Sequence, residues 1–237
     1  MSKKIPVYIA MHNKIRQRIV SHEWKKGEKI PSERDLADEF EVSRMTARQA
    51  VSSLVEEGLL ERRRGSGTFV ASEKVREKLK GIPSFTETIE RLGKQPTSKL
   101  VSYYTKLASE SEAEKLQIGQ NETVIIMERL RFADGEPICF EVATLPHSVI
   151  KTFSKEELTQ HLYRTLSEQG FEVARAEQVI SATWASERVA DLLQIKREAP
   201  ILRLKQVSYT QDNVPFEYVR AQYVGTRYEF FLEATNE

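Results

Sequence analysis

The sequence predicts an α+β protein in two parts: an N-terminal winged helix-turn-helix over 1–71, a linker over 72–81, and a C-terminal antiparallel-sheet α+β domain over 82–237. Three observations predict it. Residues 31–70 read as two capped helices followed by a glycine-tipped basic hairpin. From residue 99 onward, β-branched and aromatic runs alternate with short helical patterns. The charge also divides: the whole chain holds 36 Lys+Arg against 35 Asp+Glu, but residues 1–71 carry 14 against 10, a balance of +4, which leaves 22 against 25, or −3, for the rest. Such an asymmetry suits a nucleic-acid module joined to a domain with another task.

Each N-terminal element has a local cause. A first helix is expected over 6–21, with Pro6 tolerated in its opening turn and Tyr8, Met11, Ile15 and Ile19 on one stripe; Trp24 anchors the loop after it. Ser32 is a natural N-cap with Asp35 as the carboxylate half of a capping box, so a helix starts at Glu33. Ser43 then caps a longer helix in which Ala47, Ala50, Val51, Leu54 and Val55 recur at helical spacing and face inward. The opposite face carries Met45, Arg48, Gln49 and Ser52, with Arg44 in the first turn, the end of a recognition helix that meets base edges. After Gly58 the chain presents Arg62, Arg63, Arg64, Gly65, Ser66 and Gly67, whose glycines permit a tight tip at positive φ. Two arginines on a helix face alone would be ordinary surface charge, but arginine and glycine directly after this helical pattern point to DNA. The candidate DNA contacts are Arg34, Ser43, Arg44, Thr46, Arg48 and Gln49 from the helices, and Arg63, Arg64, Gly65, Ser66 and Gly67 from the wing.

The segment 71–80 is charged and lacks a wide apolar face, so it reads as a linker. Beyond it, strands are expected over 99–107, 123–132, 137–145, 172–183, 201–210 and 215–224, and helices over 84–92, 111–116, 158–168 and 186–193. Hairpin signals at Asp134-Gly135 and Asp212-Asn213 make the sheet antiparallel, and no dinucleotide or P-loop fingerprint appears.

Strand parity suggests a binding site. Arg129 and Arg131 share a face in a strand otherwise rich in Val, Ile, Met and Leu and call for an anion. A two-residue Asp134-Gly135 loop would set Glu141 opposite Glu128. A three-residue loop with a bulge moves Glu141 to the arginine face, and that is the expectation adopted. Glu141 would then accept ligand hydroxyls; the competing reading is an arginine–glutamate salt bridge on an exposed sheet face. Glu217 and Tyr223 share a face of a later strand, and Ser84 with Glu87 forms a capping box that puts Phe85 and Thr86 in a first helical turn, where free N–H groups favour anions. Four histidines without paired spacing and the single Cys139 predict no metal site, no disulfide and no cofactor. No apolar run spans a bilayer and no signal peptide is apparent, so a cytoplasmic protein is expected, with no membrane partner.

Residues 5–71 resemble the GntR-type winged helix, in PSERDLA, SRMTARQA and RGSGTFV, and residues 82–237 resemble the UTRA effector domain of the HutC subfamily. The resemblance implies a homodimeric bacterial repressor that reads a pseudo-palindromic operator on double-stranded DNA. It also implies an effector domain of chorismate-lyase-like fold that is not an enzyme. In SFTE, ERLRF, CFEVATLP, YRTL and PFEYVRAQYVGTRY the effector half is most similar to regulators of N-acetylglucosamine use. That similarity implies Phe85, Thr86, Arg129, Arg131, Glu141, Tyr163, Arg175, Glu217 and Tyr223 around a small anionic effector, best taken as glucosamine 6-phosphate or N-acetylglucosamine 6-phosphate. Another sugar phosphate, a carboxylate effector or a lyase-like enzyme are the alternatives. His161 stands where the family often has a phosphate-holding Ser and joins the effector set as a pH-dependent donor.

Overall fold

The computed structural model describes residues 6–63, 65–71, 74–150, 154–168 and 170–234, leaving aside the side chains of Arg63 and His161. The expectation for Arg64, and those for the side chains of Arg63 and His161, lie outside the described residues. The chain divides into two compact units, Met1–Glu73 and Lys74–Glu237.

In the first unit, α1 (Val7–Val20), α2 (Glu33–Glu39) and α3 (Arg44–Glu56) precede a hairpin of β1 (Leu60–Arg63) and β2 (Gly67–Val70). Ser32 accepts from the Asp35 backbone N–H while the Asp35 carboxylate accepts from the Ser32 N–H, the reciprocal cap that starts α2. Ser43 caps α3 through the Thr46 N–H at 3.1 Å. Met11 and Ile15 of α1 meet Leu36, Ala47, Ala50, Val51 and Leu54 in one fully buried cluster, with Tyr8, Ile19 and Trp24 packed at its edge. The hairpin pairs Leu60 with Val70 and Arg63 with Gly67. Glu28 and Ile30 add a third strip to the wing: Ile30 N–H donates to the Thr68 carbonyl at 3.0 Å and Val70 N–H to the Glu28 carbonyl at 2.9 Å.

The second unit is built on a six-stranded antiparallel sheet in the order β4-β5-β6-β9-β8-β7. Its strands are β4 (Pro96–Leu107), β5 (Thr123–Ala133), β6 (Glu136–Pro146), β7 (Arg175–Trp184), β8 (Pro200–Tyr209) and β9 (Pro215–Val224). One face packs on α5 (Glu110–Leu116) and α7 (Glu187–Leu193) through Leu116, Val189, Ala190 and Leu193. The other face packs on α6 (Lys155–Ser167) through Leu158, Leu162 and Leu166, and on Ile89 of α4 (Phe85–Arg91). Residues 75–78, inside the stretch read as a linker, are a strand: β3 (Val75–Lys78) pairs in parallel with β10 (Tyr228–Phe231), Val75 opposite Tyr228. Among the described residues no helix is long and apolar enough to cross a membrane.

The β5–β6 register decides what the site contains. The loop is a two-residue turn, with φ of 51° at Asp134 and 79° at Gly135, and Ala133 pairs Glu136. Two residues alone would have set Glu141 against Glu128. The register shifts instead beside Pro137, between the pairs Phe132↔Pro137 and Arg131↔Cys139, leaving Ile138 as the extra residue. The three-residue loop is thus corrected, while the bulge and its consequence hold: Arg129 pairs with Glu141. Proline donates no ladder hydrogen bond, so the irregularity falls where the ladder is already weak.

Candidate functional site

In the first unit, α3 offers Arg44, Arg48 and Gln49 to solvent, and α2 offers Arg34; all four are exposed, and their side chains make no hydrogen bond among the described residues. Ser43 and Thr46 spend their hydroxyls on each other at 2.8 Å in the cap, which fixes the end of α3. Arg62 is tied back to the helices, donating to Glu33 Oε1 at 2.8 Å and Ser52 Oγ at 3.0 Å, so it braces the wing. At the tip, Gly65 has φ +77° and Ser66 is exposed. Gly67 has φ +117°, and a Cβ there would lie 2.7 Å from Lys29 Cε. Lys29 is therefore a basic side chain beside the wing that sequence reasoning missed. Its location follows from the third strip of the wing, which has no local signature.

The second unit holds a cavity of about 540 Å³ between one face of the sheet and the segments around α4 and α6. Sheet pairing accounts for its floor. Arg131 pairs Cys139, which pairs Tyr223; Arg129 pairs Glu141, which pairs Ala221; Ser208 pairs Glu217. Directly paired residues and residues two apart share a face, so these rows form one patch. Phe85, Thr86, Arg129, Arg131, Glu141, Tyr163, Glu217 and Tyr223 line the cavity.

Its two arginines are in different electrostatic states. Arg129, 3% exposed, is fully engaged: Nε donates to Glu141 Oε1 at 2.9 Å, a second nitrogen contacts the same oxygen, and Nη1 donates to the carbonyls of Leu158 and Thr159 at 3.1 and 3.2 Å. Burial works to raise the Glu141 carboxyl, but Arg129 and Arg131 outweigh it and hold it below the usual carboxylate range. Arg131, 4% exposed, has Thr86 Oγ1 at 3.3 Å and the Phe85 ring 4.6 Å beneath its guanidinium. Its Nε has no partner, and no carboxylate lies within ion-pair distance among the described residues. Burial, reinforced by the neighbouring Arg129 charge, brings its pKa down to about 10. Glu141 is thus consumed by Arg129 in a buried pair, so the picture of two arginines on an anion with Glu141 free for hydroxyls is replaced by a single cation, Arg131, awaiting a counter-ion.

Opposite in character is the Glu217 corner. Glu217 Oε2 accepts from Tyr163 Oη at 2.7 Å and Ser208 Oγ at 2.9 Å, and both hydroxyls accept from the Gln206 amide, at 2.8 and 3.0 Å. Gln178 donates to the Gln206 carbonyl at 2.7 Å, which fixes that amide's orientation. Burial pushes the Glu217 carboxyl up to about 7, against the lowering influence of Tyr163. Burial likewise raises the Tyr163 hydroxyl well above its ordinary value. Gln206 lines the cavity and was missed; the signal was parity, since it lies two residues from Ser208 and Leu204 on the cavity face of β8.

Arg175 is a correction. It opens β7, the strand at the sheet's edge, where Asn213 Oδ1 accepts from it at 2.8 and 3.1 Å, Glu177 at 2.8 Å, and its guanidinium lies 3.8 Å from the Tyr209 ring centre; it is not in the cavity wall. The cause is its place on an outer strand, where local partners capture the side chain. Among the described residues no cluster of three or more His, Cys, Asp or Glu is arranged to hold a metal ion.

Comparison with known proteins agrees with this division. Residues 8–70 match the bacterial regulatory proteins of the gntR family, and residues 91–229 match the UTRA domain. The chain is 33% identical to the HTH-type transcriptional repressor NagR of Bacillus subtilis (strain 168), over 95% of this chain and 93% of that protein. It is 30% identical to the mannosyl-D-glycerate transport/metabolism system repressor MngR of Escherichia coli (strain K12), over 97% and 96%. Its structure is similar to the crystal structure of PhnF from Mycobacterium smegmatis, with a TM-score of 0.69 and 30% identity, covering 96% of this chain and 100% of that one.

Proposed function

This chain belongs to the GntR family of bacterial regulatory proteins and carries a UTRA domain, and from that premise we propose that it is a homodimeric cytoplasmic repressor released from its operator by a phosphorylated sugar. Its relatives and structural neighbours regulate transcription and are not enzymes, and this chain is likewise a DNA-binding regulator of repressor type. The phosphate reading rests on one observation: Arg131 is a buried guanidinium with an unpartnered Nε and, among the described residues, no carboxylate of its own, in the wall of a cavity of about 540 Å³. A cation buried without a counter-ion is costly, and an anion that supplies one gains a charge-assisted hydrogen bond. The cavity is within the range of small-molecule sites. Glu217, Gln206 and Tyr163 would serve a sugar's hydroxyls or amine, which favours glucosamine 6-phosphate or N-acetylglucosamine 6-phosphate over a plain carboxylate.

In the reading head, Arg44, Arg48 and Gln49 are assigned to base edges, and Arg34 with the wing from Arg63 to Gly67 to phosphates. Two heads in a dimer read a pseudo-palindrome, and a ligand that prefers the non-binding arrangement weakens operator affinity by that preference, about 1 to 3 kcal/mol in typical allostery. The experiment is to select a duplex from random DNA with the full chain, then titrate that complex with each sugar phosphate and read anisotropy. A five- to hundredfold loss of affinity is expected; unchanged affinity at saturating ligand rejects the effector assignment.

A further inference from the structure

Besides Glu141 and Glu217, a third buried carboxylate lines the cavity and has no part in the reading so far. Glu77 is on β3, where burial alternates: Val75 and Glu77 are buried, Arg76 and Lys78 exposed. An acid at an inward position of a strand is out of pattern, and Glu77 is only 7% exposed. It lines the same cavity as Arg131 and Tyr223. Its Oε2 accepts a short hydrogen bond from the hydroxyl of Tyr228, and the Tyr228 ring stacks on Tyr223 with centroids 4.2 Å apart. Among the described residues no hydrogen bond reaches Oε1 and no cation pairs with the carboxylate. Burial raises the Glu77 carboxyl above its ordinary range, with Tyr228 pulling the other way. Oε1 therefore stands in the cavity wall as an acceptor open to a ligand's donor.

Its position in the chain gives the contact a consequence. Glu77 is four residues past Glu73, where the first unit ends, and β3 is held to β10 by a pairing only four residues long. Arg131, Glu141 and Glu217 all stand on the central sheet, whereas Glu77 stands on the segment that leads out of the DNA-binding unit.

Resting on the effector assignment above, we propose that Glu77 is an effector-binding residue, whose Oε1 accepts a hydroxyl or ammonium of the bound sugar phosphate and thereby ties the segment entering the second unit to the filled cavity. A ligand shifts an equilibrium only through contacts that differ between its states, and a contact on this segment is suited to differ. The rival role is a latch, in which Glu77 serves only to hold Tyr228. Three full-length variants separate the two: Glu77→Gln, Glu77→Asp and Tyr228→Phe, each titrated with glucosamine 6-phosphate by calorimetry and assayed for operator release. Glu77→Gln and Glu77→Asp should each weaken ligand binding about tenfold and blunt release at saturating ligand. Tyr228→Phe, which keeps the carboxylate, should stay within about threefold of wild type. Wild-type behaviour in both Glu77 variants, or an equal loss in Tyr228→Phe, overturns the proposal while leaving the effector assignment standing. Failure of the wild-type chain to bind either sugar phosphate removes the effector assignment, and this proposal with it.

Discussion

Arg44 and Arg48 in the first unit and Arg129 and Arg131 in the second are the same side chain under opposite rules. The first pair projects from α3 into solvent with no protein partner among the described residues, and water makes that state inexpensive. The second pair is 3% and 4% exposed. There an arginine without a counter-charge is costly, and among the described residues only Arg129 of the two is paired with one. The difference teaches how to read an unpaired cation. On a surface it says little until the helix and wing around it supply a context; in a cavity wall it is a statement about a missing partner.

The largest effect that would break this contrast is on stability. Arg129→Met strands the buried carboxylate of Glu141, so unfolding in urea should show a loss of about 3 to 5 kcal/mol. Arg131→Met removes a cation with no carboxylate to strand, and should leave stability unchanged or raised while abolishing the thermal shift produced by a sugar phosphate. Equal destabilisation by the two variants would mean that Arg131 has a structural partner after all.

A second, smaller effect tests the Glu217 corner of the cavity. The Glu217 carboxyl is raised by burial to about 7 from an ordinary 4.5. The folded state therefore binds this proton more tightly than the unfolded chain. Its stabilising contribution is complete below about pH 4.5 and is lost as pH rises to about 7, by roughly 1 to 3 kcal/mol. Urea unfolding at pH 5 and pH 8 should show this slope in the wild type and a flatter one in Glu217→Gln. Parallel slopes would place Glu217 in a more polar setting than the structure gives it.

Much of this was legible in the sequence, for local reasons. The caps at Ser32, Ser43 and Ser84 each appear where the side-chain spacing required them, because an N-cap and the backbone N–H it accepts lie within four consecutive residues. The shared face of Arg129 and Arg131 follows from parity alone. What escaped depends on distant residues. The pairing of Val75 with Tyr228 spans most of the chain, and VREK has no feature that names its partner, so Glu77 was read as linker charge. The bulge beside Pro137 was expected at the loop itself, because a local rule ties hairpin length to register and says nothing of an irregularity farther along the ladder. Arg175 was carried over by resemblance, and Asn213, Glu177 and Tyr209 then showed what parity on an edge strand does not determine.

The smallest expected effect sharpens the surface half of the contrast. Arg48→Ala removes an exposed side chain, so stability should stay within about 0.5 kcal/mol of wild type while operator affinity falls by about 1 to 3 kcal/mol. The distribution of that loss across sequences carries the information. A bidentate contact to guanine concentrates it on one base pair and leaves the salt dependence of binding nearly intact; a phosphate contact spreads it evenly and lowers the slope of log affinity against log salt by about one. Binding of the sugar phosphate to the same variant should be unaltered, since Arg48 belongs to the first unit and the cavity is lined wholly by the second. A shift in effector affinity would show the two kinds of arginine to be coupled even without DNA, and the separation drawn between the two regions would then have to be replaced by a single linked equilibrium.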